Sequence, residues 1–356
     1  MKIYIRSASC ISPQQTFHGQ LFFNDAEEYT ANLLKVIEPD YKKIFDAKLL
    51  RRMSRIVRVA LAAATSCLKE AGKENVDAIV TGTAYGCMED SETFLKKIVE
   101  QEEQMLSPTS FIQSTHNTVG AQIALFLKCH NYNNTFVHRG FSFEHAMIDA
   151  MLLLKENCAA NVLAGSADEM TDFTFSVLKR FGLYKQLPVS NFELYGSDTK
   201  GSVCGQGTAF FLLSAEFADE AYAQIDTVET LYKYASSAEI KKWIERFFTQ
   251  HKLTANDIDL VITGKNGDTR LDLLFTDLQK DIFKDNGVIN YKHLCGEYPT
   301  SSSFALWLAA NIIRRNKLPI CFAGTQVKEK DFRKILIYNN YQGKYHSLVL
   351  VSSAVK

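Results

Sequence analysis

The sequence predicts a duplicated α/β fold in which helices are sandwiched between two sheets, and three observations carry that expectation. Apolar, unalternated strand candidates such as Asp77–Thr83 and Asn161–Gly165 alternate with helices. That pattern marks βαβ units in a sheet covered on both faces. The stretch VDAIVTG at Val76–Gly82 is echoed by IDLVITG at Ile258–Gly264, each preceded by a polar helix and followed by a glycine-containing loop. THNTVGAQIALFLK at Thr115–Lys128 has a weaker echo in YPTSSSFALWLAANII at Tyr298–Ile313. Similarity at a period of more than a hundred residues is a duplicated domain rather than a solenoid. The expected division is into halves at 1–216 and 217–356.

The elements follow in order. Lys2–Ser9 reads as the first strand. Leu50–Gly72 is an amphipathic helix, with Met53, Ile56, Val57, Ala60, Leu61, Ala64 and Leu68 on one face and Gly72 as its stop. After the strand Asp77–Thr83, Glu92–Gln101 reads as helix, Leu106–Asn117 as a loop opened by Ser107-Pro108, and Val119–Lys128 as a second apolar helix. Asn134–Glu156 is the centre of the chain: a short β-branched and aromatic strand at Thr135–Val137, a tight turn at His138–Ser142, and a helix with Phe143, Ala146, Met147, Ala150, Met151 and Leu154 at helical spacing. A helix N-terminus fed by a strand favours an anion and is where enzymes put nucleophiles. That position holds Gly140. Asn161–Gly165 and Ala209–Ser214 are further strands flanking an irregular polar stretch, Pro188–Gly207, which is the expected surface loop. Strands around Ile320–Ala323, Lys334–Tyr338 and Ser347–Ser352 close the chain.

At 356 residues, with 46% hydrophobic and 12% aromatic residues, the chain has ample material for a packed core. Forty basic residues balance forty acidic ones, so no overall basic field gathers nucleic acid or anionic lipid. The apolar run Phe304–Ile313 is about half the roughly 20 residues of a membrane span, and MKIYIRSAS has no apolar signal core. A cytoplasmic location is expected. The eight cysteines show no CxxC pair and no zinc-ligand spacing, so reduced, mostly buried thiols, no metal site and no bound cofactor are expected.

Several stretches together resemble the β-ketoacyl-acyl carrier protein synthases of the thiolase-like superfamily. RRMSRIVRVALAAATSCLKEAG resembles the family's first long helix, TGTAYG its second strand and glycine turn, and SPTSFIQSTHNTVGAQIAL its Ser-Pro…Asn…Gly/Ala-rich segment. VLAGSADE resembles the strand after the nucleophile helix, and CGQGTAFFLLSAE the Gly-Glu-Gly-Ala strand. The resemblance covers nearly the whole chain and implies a thiolase-like duplicated βαβ fold layered α-β-α-β-α. Active members use a cysteine thiolate and two histidines. In TFVHRGFSFEHA, Gly140 falls at the cysteine, with Ser142 and Ala146 at small family positions. Asn266, in Asn266-Gly267-Asp268-Thr269, falls at the first histidine. Glu297, in Lys292–Glu297, falls at the second, and the family lysine is kept as Lys292. An amide exchanges no proton near neutral pH, and a carboxylate repels a forming enolate unless burial neutralises it. Asn339-Asn340-Tyr341-Gln342-Gly343 matches the family's glycine-rich gate poorly.

The resemblance therefore implies a chain-length-factor-like subunit, a partner of an active ketosynthase or of itself, working on acyl groups carried by the phosphopantetheine arm of an acyl carrier protein. Phe111, Thr115, His116 and Ser142 are the candidate substrate-binding residues, and Lys292 paired with buried Glu297 the candidate replacement for the catalytic centre. The alternative is an active synthase or acyltransferase using Cys295, Cys204 or Ser142. Simpler readings stand beside these: Ser142 as a helix N-cap, Cys295 and His293 as neighbours that do not face each other, and His138 with Arg139 as an edge-of-sheet pair instead of a contact for carrier or partner. Gly264 and Gly267 read as backbone turn requirements.

Overall fold

The computed structural model describes residues 1–17, 26–106, 108–234, 236–322, 327 and 331–355. Its strands are β1 (Ile3–Ile11), β2 (Thr30–Ala31), β3 (Ala78–Gly82), β4 (Tyr132–Phe136), β5 (Asn161–Asp168), β6 (Val189–Ser190), β7 (Gly207–Ser214), β8 (Ala223–Tyr232), β9 (Leu260–Thr263), β10 (Gly287–Asn290), β11 (Lys334–Tyr341) and β12 (Tyr345–Ser352). Its helices are α1 (Ala47–Leu50), α2 (Arg55–Glu70), α3 (Met88–Glu100), α4 (Pro108–Gln113), α5 (Thr118–Leu127), α6 (Ser142–Lys155), α7 (Asp172–Arg180), α8 (Ser237–Gln250), α9 (Thr269–Asp281), α10 (Lys292–Cys295) and α11 (Ser302–Arg315).

Ten strands hydrogen-bond in the order β10-β9-β11-β12-β8-β1-β7-β5-β3-β4. From its outer edge inward, each five-stranded half runs third, second, fourth, fifth, first in its own chain order, so the duplication is one of topology. The two expected sheets are joined edge to edge: Ile3, Tyr4 and Ile5 pair with Ile225, Gln224 and Ala223. Helices α6 and α11 form the layer between the halves, sharing one core with strands of both. Helix α11 is buried at twelve of its fourteen residues, which is why it shows no polar face. Helices α2 and α5 cover the outside of the first half through Ile56, Val57, Leu61, Val119 and Ile123. Helices α8 and α9 cover the outside of the second through Ile240, Phe247, Leu274 and Leu278. The α-β-α-β-α layering follows. No helix among the described residues is long and apolar enough to cross a membrane.

Several local expectations are corrected. Helix α2 starts at Arg55, because Ser54 is extended and separates it from the short α1. The expected loop at Leu106–Asn117 contains helix α4, while Ser107 lies outside the described residues. The weaker internal echo pairs unlike elements: α5 lies on the outer face, whereas α11 lies in the middle layer with α6. Much of Pro188–Gly207 is interior, with Asn191, Leu194, Val203 and Gln206 buried. Ile320–Phe322 is a 3-10 turn and no strand, and Ala323 lies outside the described residues.

Candidate functional site

Strand β4 is the free edge of the first half and leads into a tight turn, Arg139–Phe141, and then into α6. Arg139 takes a left-handed φ of 52° to make the turn. The Ser142 hydroxyl accepts the His138 N–H at 2.8 Å and donates to the Arg139 carbonyl at 2.9 Å, so it closes the turn. The N-cap of α6 is Phe141, which corrects the capping role expected of Ser142.

Gly140 is buried at the start of α6. A Cβ on it would lie 2.8 Å from Cβ and Cγ of Tyr345 and 2.9 Å from Cβ of Tyr341, closer than real Cβ atoms approach anything. The two tyrosines face each other across the β11–β12 hairpin. Its central residues Gln342 and Gly343 have φ of 55° and 63°, as a type I′ turn requires. Phe141 meets the Tyr345 ring edge-on with centroids 5.0 Å apart. Aromatic mass therefore fills the space where a side chain at position 140 would stand.

Asn266 follows β9, and Lys292 and Glu297 follow β10, so parallel neighbouring strands deliver all three to one place. The Asn266 amide donates to Glu297 Oε2 at 2.7 Å, and Lys292 Nζ donates to the same oxygen at 2.7 Å and to the Asn340 carbonyl at 3.1 Å. All three side chains are buried. Burial pushes the Glu297 carboxyl up, while Lys292 and the Asn266 amide pull it back. Glu297 Oε1 has no hydrogen-bond partner among the described residues. A cavity of about 250 Å³ reaches Asn266, Glu297 and Tyr341, with Arg270 and Lys344 also in its lining. Lys292 and Asn266 both bind Glu297 Oε2, and Gly140 presents no atom able to take an acyl group.

Residues 36–190 match the family model described as beta-ketoacyl synthase, N-terminal domain. Among curated proteins no sequence matches. Solved structures match over the full chain. One is the ishigamide ketosynthase/chain length factor, at 17% identity and TM-score 0.81, covering 99% of each chain. The chain has the β-ketoacyl synthase fold. A beta-ketoacyl synthase from Burkholderia phymatum STM815 matches at 14% identity and TM-score 0.81 over 100% of each chain. The ketosynthase ApeO in complex with its chain length factor ApeC from Xenorhabdus doucetiae matches at 14% identity and TM-score 0.77, covering 99% of this chain and 98% of that one. The ketosynthase fold implied by the resemblance read from the sequence stands on these matches.

The other candidate residues of this ketosynthase fold are not gathered around Gly140. Cys204 and Cys295 are fully buried and burial pushes both thiols upward. Cys295 donates to the Gly296 carbonyl at 3.3 Å, whereas His293 Nδ1 faces the Tyr195 hydroxyl at 3.2 Å, so the two form no dyad. The Ser142 hydroxyl is engaged by the turn in both directions, accepting from His138 and donating to Arg139. Phe111, Thr115 and His116 are exposed, with the Phe111 ring 5.1 Å from that of Phe94. His138 and Arg139 are exposed too, with His138 Nδ1 2.7 Å from His145 Nδ1. Gly267, with φ of 81°, meets the expectation of a turn glycine. No group of three or more metal-binding side chains stands together among the described residues.

Glu144 and Asp168 are among the buried carboxyl groups that escaped sequence reasoning. Glu144, fully buried one turn after Gly140, accepts the Ser347 hydroxyl at 2.8 Å, and burial pushes its carboxyl up. Asp168 accepts from the Thr83 and Thr300 hydroxyls and the Ala84 and Tyr85 N–H groups at 2.8–3.1 Å, which ties the loop after β3 to the start of α11. The signal was present in both cases: an acid inside an apolar helical repeat, and an acid ending an apolar strand.

Proposed function

We propose that this chain is a non-condensing ketosynthase-fold subunit that pairs with an active β-ketoacyl synthase and shapes the acyl tunnel at their shared interface. The acyl group arrives on the phosphopantetheine arm of an acyl carrier protein, in fatty-acid-like or polyene/polyketide assembly. The observation that carries this reading is the occupied space at Gly140, where Tyr341 and Tyr345 leave no room for a nucleophile. Asn266 and Glu297, hydrogen-bonded to each other, with Lys292 on the same Glu297 oxygen, supply no imidazole to replace what the position lacks. The pairing surface is the free edge strand β4, with exposed Val137 just past its end and exposed Leu125 and Phe126 on α5, which packs against it. An exposed strand edge beside apolar side chains is a template for a second chain. Two of the structures similar to this chain are described as a ketosynthase with a chain length factor.

The test is co-expression with active ketosynthases, size-exclusion chromatography of the purified mixture, and the product chain length with and without this subunit. A stable heterodimer whose product length depends on this chain supports the reading. A chain that forms only a self-associated dimer and captures no ketosynthase contradicts it.

A further inference from the structure

His138 and His145 form a pair that the chemistry around Gly140 does not use. His138 follows the end of β4 and is exposed, and His145 lies in the first turn of α6 and is half-buried. Their Nδ1 atoms stand 2.7 Å apart, with ring centroids at 4.7 Å and planes at 67°. Nδ1 facing Nδ1 requires opposite tautomers, one ring carrying its proton on Nδ1 and the other on Nε2. Neither ring makes another hydrogen bond among the described residues.

The backbone holds both rings in place independently of that contact. The Ser142 hydroxyl accepts the His138 N–H at 2.8 Å, and the residues after His145, Ala146 and Met147, are buried in the core. Phe136 and Phe141 flank the His145 ring, with centroids at 6.3 and 5.5 Å. Apolar walls of this kind limit access of water to a ligand atom. Two charged groups stand near. Asp149 lies one helical turn beyond His145 on the same face of α6, with its Oδ2 accepting the Tyr132 hydroxyl at 3.1 Å, and it brings an anion to that face. Arg139 is the opposing cation, and its side chain hydrogen-bonds Tyr345 on the hairpin.

We propose that His138 and His145 bind a late first-row divalent cation such as Zn2+ through their two Nδ1 atoms, with water in the remaining positions. Imidazole nitrogens suit zinc, copper and nickel, whereas magnesium and calcium take oxygen ligands. Tetrahedral zinc, with Zn–N bonds of about 2.0–2.1 Å, sets two nitrogens about 3.3 Å apart, so the exposed His138 ring swings outward by about half an ångström. The ring that donated its Nδ1 proton takes it on Nε2 instead. Both Nδ1 lone pairs then face the metal, both Nε2 atoms carry hydrogen, and the neutral pair releases no net proton. This assignment is independent of any ketosynthase partner.

The test is calorimetric titration of the full chain, free of any affinity tag and stripped with chelator, with zinc chloride and separately with magnesium chloride. Saturable uptake of one zinc per chain and no magnesium is expected. His138→Ala and His145→Ala should each weaken zinc binding by about tenfold or more, the loss that removal of even an outer-shell partner brings. His130→Ala and Cys158→Ser, at exposed positions outside the pair, should leave it unchanged. Thermal unfolding identifies a His145→Ala variant that fails to fold, and His138→Ala, at an exposed position, then decides. Unchanged zinc binding in folded His138→Ala, loss of binding in His130→Ala or Cys158→Ser instead, equal uptake of magnesium, or no saturation up to about 1 mM zinc overturns the assignment.

Discussion

Gly140→Cys restores the thiol that active ketosynthases use, and the geometry makes it a costly substitution. Gly140 does not take a left-handed backbone, so the cost arises from space alone. The new Cβ would meet Tyr345 Cβ and Cγ at 2.8 Å and Tyr341 Cβ at 2.9 Å. These atoms sit at the root of their side chains on a paired hairpin, so a rotamer change cannot move them away. Overpacking a tight interior costs about 1–3 kcal/mol, and with two strands resisting at once the upper figure applies. The urea midpoint of Gly140→Cys should fall by the equivalent of about 3 kcal/mol with the slope unchanged. Tyr345→Gly in the same chain removes the nearer obstacle and should return about 1 kcal/mol or more as a favourable coupling. Wild-type stability in Gly140→Cys, or zero coupling with Tyr345→Gly, refutes the view that this position is filled.

Further outcomes follow from the same structure. Lys292→Met leaves Glu297 buried without its cation and should cost about 3–5 kcal/mol by urea unfolding, part of which Lys292→Met with Glu297→Gln restores. His293 and His346 are both pushed down to about 4 by burial, below their ordinary 6.5. At these two positions the folded state binds fewer protons than the unfolded one. Their contribution is complete above about pH 6.5 and is lost as pH drops toward 4, by up to about 3 kcal/mol per histidine, while Glu169, raised by burial to about 7, acts in the opposite direction over the same window; a stability difference between wild type and His293→Phe that is independent of pH over that window contradicts it. Leu125 is 72% exposed beside the free edge of the sheet. Leu125→Asp should abolish association with a ketosynthase on size-exclusion chromatography while changing the chain's own stability by less than about 0.5 kcal/mol.

The parts legible in the sequence are those set by local pattern. The unalternated strands, the apolar stripe of α6 and the absence of a thiol at position 140 are readable directly, because each depends on residues near one another in the chain. Lys292 and Glu297 were readable as a pair for the same reason, lying five residues apart at the end of one strand. What the sequence hides is what long-range register creates. Tyr341 and Tyr345 reach Gly140 only because a hairpin about two hundred residues later packs against the start of α6. The join between the two sheets rests on a ladder of three residue pairs that leaves no periodic signal. Ser142 shows the limit of capping rules: a serine at a helix start looks like an N-cap, yet here the preceding 3-10 turn takes up its hydroxyl. Helix α4 was missed because six residues opened by a proline are too few to establish a helical period.

Whether the chain takes up an acyl group decides the account most directly. The purified protein is incubated with acyl- and malonyl-acyl carrier protein, alone and with an active ketosynthase, and the intact mass of each chain is measured. The predicted result is acylation of the active ketosynthase and an unchanged mass for this chain. An acyl adduct on this chain, at Cys204, Cys295, Ser142 or any other residue, contradicts it.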